Sequence, residues 1–348
     1  MMDCVLHIGI GKAGSSTLQA IFKDSRVLLK DLGILYPEDL LPNGGSGGDN
    51  HKCLAVSCMQ PSRENFVLSQ HRVRSSRDRD SFDRRVESLY RDQISASSCQ
   101  VCLLSAEHFW SCLGSRNEIL ALKDRFFRIG LSVSRIVVYL RRQSSWFESF
   151  QHQRVREGRG LLASNAADLL NTPTARQLDY SRLIDTWGEV FRGAQIIPRI
   201  FESSSLMGRG ILDDFFDAAG LPVINHSAEV KNSSALSNLG INLMLSVRAL
   251  LESQNKGPIN NSSWRRLTAE IAKNMHGRCM ILPEEEMCRI DRAYAESNEL
   301  VRLRYFPERS SLFLGDSLHA VERFERLEGA DYDSIVRLVT ALWQRSEK

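Results

Sequence analysis

One stretch near the N-terminus gathers most of the residue types that do chemistry. His7-Ile8-Gly9-Ile10-Gly11-Lys12-Ala13-Gly14-Ser15-Ser16-Thr17 sets three glycines, one lysine and three hydroxyls behind a short apolar run. Residues 4–10 read as a buried strand and 15–32 as the helix that follows. A strand, a glycine turn and a helix in that order aim the unbonded N–H groups of the first helical turn at one point, which is an anion site. Lys12 adds a positive charge there, and Ser15, Ser16 and Thr17 add hydroxyl donors. A capped helix accounts for part of the pattern, since Ser15 suits an N-cap and a tight turn needs glycine. The lysine and the three consecutive hydroxyls go beyond it. A Walker A loop places Lys directly after its last glycine; here Lys12 comes two residues before Gly14. Gly9, Gly11 and Gly14 fit the GxGxxG spacing. No acidic residue ends a second strand at the offset a dinucleotide ribose requires.

The elements that must hold this loop are legible as an alternation. Strand patterns at 34–36, 101–105, 136–140 and 195–200 are interleaved with helical patterns at 51–59, 117–129, 144–157, 181–191 and 212–219. Strands alternating with helices predict a parallel sheet covered on both faces, a three-layer α/β sandwich. From about residue 235 the patterns are mainly helical, broken by Pro258, Pro283 and Pro307. The chain is read as one domain over 1–348, with an α/β core over 1–225 and a mainly helical part over 226–348.

Composition narrows the classes. The 348 residues carry 43% hydrophobic and 25% charged residues, as ordinary globular domains do, and a net charge of +3. That balance is too mild to point to nucleic acid, and no apolar run is long enough for a membrane-spanning helix. The first residues lack the basic and apolar regions of a signal peptide, so a cytoplasmic protein is expected. Eight cysteines in such a chain read as reduced thiols; Cys99 and Cys102 have CxxC spacing but lead into a strand, which favours a structural role. Of the 45 basic residues 36 are Arg, the residue suited to bidentate phosphate or sulfate binding. Residues 72–85 interleave six arginines with three aspartates. They read as a solvated segment leading into a helix, with an arginine lid over an anion as the alternative.

The segment Gly11-Lys12-Ala13-Gly14-Ser15-Ser16-Thr17 resembles the 5′-phosphosulfate loop of sulfotransferases that use 3′-phosphoadenosine 5′-phosphosulfate (PAPS), which commonly reads Pro-Lys-x-Gly-Thr/Ser-Thr/Ser. Gly11 stands where that loop has proline. A second element of the family is an Arg at the end of a later strand with a Ser eight residues on; Arg141 and Ser149 have that spacing. Weaker echoes of the bacterial, carbohydrate-type branch are Ser105-Ala106-Glu107, Leu178-Asp179-Tyr180 with Trp187, Asn232-Ser233-Ser234, Ser297-Asn298-Glu299 and Arg304-Tyr305-Phe306. The resemblance implies the P-loop NTPase-like sulfotransferase fold with helical C-terminal segments. It implies a transferase moving a sulfuryl group, in-line and without metal, from PAPS to a hydroxyl or amine of a glycan or other small acceptor.

In that reading Lys12 stabilises the departing oxygen. The loop from Gly11 through Ala13, Gly14, Ser15 and Ser16 to Thr17 cradles the 5′-phosphate, and Arg141 and Ser149 hold the 3′-phosphate. The general base is assigned first to His51, where related enzymes often place it after the first helix. Glu107, at a strand's carboxyl end, comes second and His108 third. His7 reads as a core histidine. Arg142 either backs Arg141 or pairs elsewhere, Trp146 either stacks on adenine or packs in the core, and Lys231, Asn232 and Ser233 either close over the nucleotide or enter a helix. The competing readings are a P-loop kinase or other NTPase, which needs a Walker A lysine and an acid for magnesium, and an inactive nucleotide-binding relative.

Overall fold

Strand β1 (Met2–Ile8) is buried from Cys4 onward, as a strand covered on both faces must be. The computed structural model describes residues 1–225, 236–253, 262–275, 277, 279–314, 322–330, 332–333, 335–337 and 339–340. After β1 come α1 (Ser15–Asp24), α2 (Arg26–Asp31), the two-residue strands β2 (Ile34–Leu35), β3 (Asp39–Leu40) and β4 (Ser46–Gly47), then α3 (Lys52–Val56), α4 (Phe66–Gln70) and α5 (Ser76–Ser95). Next are β5 (Val101–Ala106), α6 (Glu107–Cys112), α7 (Arg116–Ile129), β6 (Leu131–Leu140) and α8 (Gln143–Arg156). The chain continues through α9 (Ala166–Leu170), α10 (Pro173–Gln177), α11 (Tyr180–Val190), β7 (Gln195–Ile200) and α12 (Ile211–Ala219). The last third holds α13 (Asn238–Ser253), α14 (Ser262–Asn274), β8 (Cys279–Met280), α15 (Glu284–Ala293), α16 (Ala295–Tyr305) and β9 (Glu322–Arg323).

Five strands form one sheet in the order β2-β5-β1-β6-β7, every neighbouring pair parallel. The fold is thus α/β, a central parallel sheet flanked by helices, as the alternation predicts. The order matters more than the class. β1 lies between β5 and β6, so the chain leaves β1 toward one side of the sheet and later returns to the other. Open α/β sheets bind ligands at such a reversal, outside the carboxyl ends of the strands.

The chain divides into two compact units that interleave in sequence. The first comprises Met1–Arg141, Arg176–Val230 and Glu296–Phe313; the second comprises Arg142–Ala175, Lys231–Ala295 and Leu314–Lys348. In the first, the sheet packs on an aromatic group in which the Phe22 ring lies 5.0 Å from Phe215 and the His7 ring 5.3 Å from Phe215. The buried Asp214 is satisfied there by the Tyr139 hydroxyl (2.6 Å), the Arg199 guanidinium and the Met207 N–H (3.0 Å). In the second, Trp264, Val247, Met244 and Ile241 pack with Val155 of α8, and the Trp264 indole N–H donates to the Arg156 carbonyl at 2.9 Å.

Two sequence expectations are refined. The single helix over 15–32 breaks at Ser25, whose backbone leaves helical geometry. Beyond the break Val27, Leu28 and Leu32 are exposed, and Leu29 is buried. The mainly helical last third also contains the short parallel pair β8–β9, too brief to leave a strand pattern. Among the described residues no helix is long and apolar enough to cross a membrane.

Candidate functional site

The loop after β1 is held from both sides. The Gly9 N–H bonds the Ala106 carbonyl at 3.2 Å, tying the loop to the end of β5. Inside the turn the Ala13 N–H reaches the Ile10 carbonyl at 3.3 Å, and the Ser15 hydroxyl donates to the same oxygen at 2.8 Å. Ser15 is therefore not the N-cap. Gly14 takes that position in left-handed geometry (φ 78°), and no side chain caps the helix. The first intrahelical bond runs from the Leu18 N–H to the Gly14 carbonyl. The amides of Ser15, Ser16 and Thr17 precede it and open the helix, a geometry in which N–H groups can face an anion.

Packing explains the glycines. A Cβ on Gly14 would lie 2.1 Å from Ile211 Cδ1 and 2.9 Å from the Phe201 ring. A Cβ on Gly11 would lie 2.7 Å from Glu107 Oε1. Glu107 thus fills the space that a side chain at position 11 would need. Lys12 adopts φ 66°, a left-handed conformation that a non-glycine residue keeps only when its surroundings enforce it.

Three strand ends bring side chains to one rim of the first unit. β1 delivers Lys12, and β5, paired with β1 through Ile8 and Ala106, delivers Glu107. β6, paired through Ile8 and Val138, ends at Leu140 and delivers Arg141. The Arg141 guanidinium donates to the Lys12 carbonyl at 2.5 Å and lies over the Phe201 ring, 5.9 Å from its centroid. Its backbone is clamped by Tyr180, whose hydroxyl accepts from the Arg141 N–H (3.3 Å) and donates to the Arg141 carbonyl (2.5 Å). Tyr180 in turn opens α11, which Asp179 caps through the Arg182 N–H at 3.2 Å. Ser297 donates to Asp179 at 2.7 Å and accepts from the Ser181 N–H at 3.0 Å. The weak echoes around 179–180 and 297 are thus the scaffold of Arg141, a role their spacing alone did not disclose.

His51 has a different job from the one expected. It is fully buried. The Ser105 N–H donates to its Nδ1 at 2.8 Å, and its Nε2–H donates to the Pro37 carbonyl at 3.0 Å. Burial lowers its pKa to about 4. With both nitrogens held by backbone, His51 fixes the end of β5 and has no nitrogen left to take a substrate proton. His7 flanks Ser105 from the other side. Gln19 donates to the Ser105 hydroxyl (3.2 Å), which also shares a hydrogen bond with His7 Nδ1 (2.7 Å); burial lowers the His7 pKa to about 3. His108 is half-buried, and burial, with Lys52 nearby, lowers its pKa to about 4. Glu107 is the candidate base that the strand ends bring to the loop.

Other expected residues fall in the second unit. Ser149 is half-buried on α8. Arg142 does not back Arg141; it pairs with Asp291 at 2.6 Å, and Asp291 also accepts from the Ser144 N–H and hydroxyl. Trp146 is buried and stacked on Phe150 with ring centroids 4.9 Å apart, the core alternative. Lys231, Asn232, Ser233 and Ser234 lie outside the described residues. Cys99 and Cys102 are buried free thiols. Among the described residues no group of three His, Cys, Asp or Glu side chains is placed to hold a metal.

No protein-family model matches the chain. A curated protein of Archaeoglobus fulgidus, described as uncharacterized, is 24% identical over 237 residues, 66% of this chain. The match spans 60% of that protein's length. Among solved structures, the crystal structure of a sulfotransferase from Alicyclobacillus acidocaldarius is similar over 76% of this chain and 99% of its own, at 15% identity and a TM-score of 0.39.

Proposed function

We propose that the chain is a sulfotransferase that moves a sulfuryl group from PAPS to an acceptor hydroxyl. The observation that carries this reading is the convergence of Lys12, Glu107 and Arg141 at the carboxyl ends of three adjacent strands, around a loop whose helix opens with three uncapped amides. The amides of Ser15, Ser16 and Thr17 would bind the 5′-phosphate. Arg141 would bind the 3′-phosphate by charge-assisted bonds; the part of Ser149 rests on the motif spacing alone.

The step resembles phosphoryl transfer, in which positioning and electrostatics do most of the work. The acceptor oxygen forms a bond to sulfur as the bond from sulfur to the bridging phosphate oxygen breaks. Glu107 takes the acceptor proton, and Lys12 stabilises the charge left on 3′,5′-adenosine diphosphate. No residue in this scheme requires a metal. The acceptor is a glycan or another small hydroxyl compound, following the branch that the sequence resembles.

The test is thermal unfolding with 3′,5′-adenosine diphosphate, AMP, or ATP with magnesium. A ligand at about 100 times its Kd stabilises the fold by roughly 2.7 kcal/mol. The bisphosphate should raise the melting temperature well above AMP. A rise with ATP and magnesium alone would replace this reading by the kinase one.

A further inference from the structure

The arginine-rich stretch 72–85 divides into two kinds of residue. Arg79 is buried and spent on structure, donating to the Val56 and Met59 carbonyls at 2.9 Å and pairing with Asp83 at 3.0 Å. Arg85 is exposed and reaches over the glycine loop, with Nη2 3.0 Å from the point where a side chain on Gly44 would begin. His71 lies between α5 and α3. Its Nε2 is 3.4 Å from Cys53 Sγ, and its ring meets Phe82 edge-on at 5.0 Å. Lys52, beside Cys53, opens α3. The His51 N–H bonds the Ser105 carbonyl at 3.1 Å, which seats the start of α3 against the end of β5, two residues before Glu107.

Among the described residues, no carboxylate lies within ion-pair distance of Lys52 or Arg85. Three acids on neighbouring elements are engaged elsewhere. Asp39 accepts from Tyr90 (3.0 Å) and the Cys53 N–H (2.8 Å), Asp49 pairs with Lys23 (2.7 Å), and Glu38 accepts from Ser46. Both Lys52 and Arg85 push the His71 pKa down, in addition to burial, and no acid opposes them. Lys52 also acts on His108, the residue after Glu107, so its charge is felt at the strand end that carries the candidate base.

We infer that Lys52 and Arg85, with His71 between them, form the acceptor edge of the site and select an acceptor that carries an oxyanion, carboxylate or sulfate. The inference rests on the sulfotransfer reading for its meaning, but its binding test does not. Two cations converging on one edge raise the local concentration of an anionic ligand and orient it. The hydroxyl of such an acceptor is then presented toward Glu107.

The experiment is calorimetric titration of the 348-residue chain with p-nitrophenyl β-glucuronide, its neutral β-glucoside and the 6-sulfated glucoside, without donor. Either charged glycoside should bind at least tenfold more tightly than the neutral one, and the two together show which oxyanion is preferred. Lys52→Met and Arg85→Gln should each remove most of that preference and leave the neutral glycoside unchanged. Lys52→Glu should invert it. Equal binding of charged and neutral glycosides, or equal losses for both in the variants, overturns the inference. Binding of 3′,5′-adenosine diphosphate, measured alongside, should be unaffected by these variants. Its absence with the glycoside preference intact would sink the donor reading and leave the acceptor edge standing.

Discussion

Lys12, Glu107 and Arg141 each carry a separable expectation. Lys12→Ala should lower turnover by roughly 10²–10³-fold, the usual loss when one donor to a developing charge is removed, with a small change in bisphosphate affinity. Release of 3′,5′-adenosine diphosphate measures it, and undiminished turnover would remove Lys12 from the chemistry. Glu107→Gln should lose comparable rate, whereas variants of His51 should act on folding. Tyr180→Phe deletes both bonds to the Arg141 backbone and should weaken 3′,5′-adenosine diphosphate by about 1 kcal/mol; an equal loss for AMP would mean that the clamp does not serve the 3′-phosphate. Lys12 and Arg141 were legible because a loop motif and an Arg–Ser spacing name their positions. Tyr180 was not, because its contact with Arg141 spans 39 residues. His51 was misread because sequence shows where a histidine stands in order but not how deeply it is buried.

At the scale of elements, the loop and α1 form one unit of design with β5. Gly14→Ala places a Cβ against Ile211 and demands an unfavourable φ, so it should cost about 1–3 kcal/mol and abolish bisphosphate binding. The check is a denaturant melt together with a titration. Gly11→Ala is subtler. Its Cβ must displace the Glu107 carboxylate, so turnover should fall while 3′,5′-adenosine diphosphate binds as before; a parallel loss of binding would mean that the loop, rather than the base, has moved. Most of the strand and helix pattern over 100–220 was legible because long buried strands and amphipathic helices repeat their periods many times; the short α6, α9 and α10 left no such repeat and were not read. The break at Ser25 and the pair β8–β9 were not, since each involves only one or two residues.

For the whole molecule, buried histidines make stability depend on pH. His51 and His108, held near 4, and His7, near 3, remain neutral in the fold while their unfolded forms take a proton below about 6.5. Between those limits the unfolded state binds more protons, so stability falls as pH drops from about 6.5 and levels off below the folded values. Asp39, raised to about 6 by burial, acts oppositely, costing stability as pH rises from about 4 to 6. Three histidines against one aspartate should leave a net fall in melting temperature from pH 6.5 to 4. His51→Gln should flatten that slope; an unchanged slope would mean that His51 is not neutral in the fold. The sheet was legible at this scale, but its division into two units interleaved along the chain was not. Local patterning carries no record of which distant segments share a core.

The left-handed backbone at Lys12 sets durability against activity at a single codon. A glycine there relaxes the turn at no steric cost, so Lys12→Gly should melt higher than Lys12→Ala and close to or above the parent, while its turnover falls as far as that of Lys12→Ala. Any breeding programme that ranks variants of this protein by heat resistance alone will therefore tend to enrich for slow ones at this position.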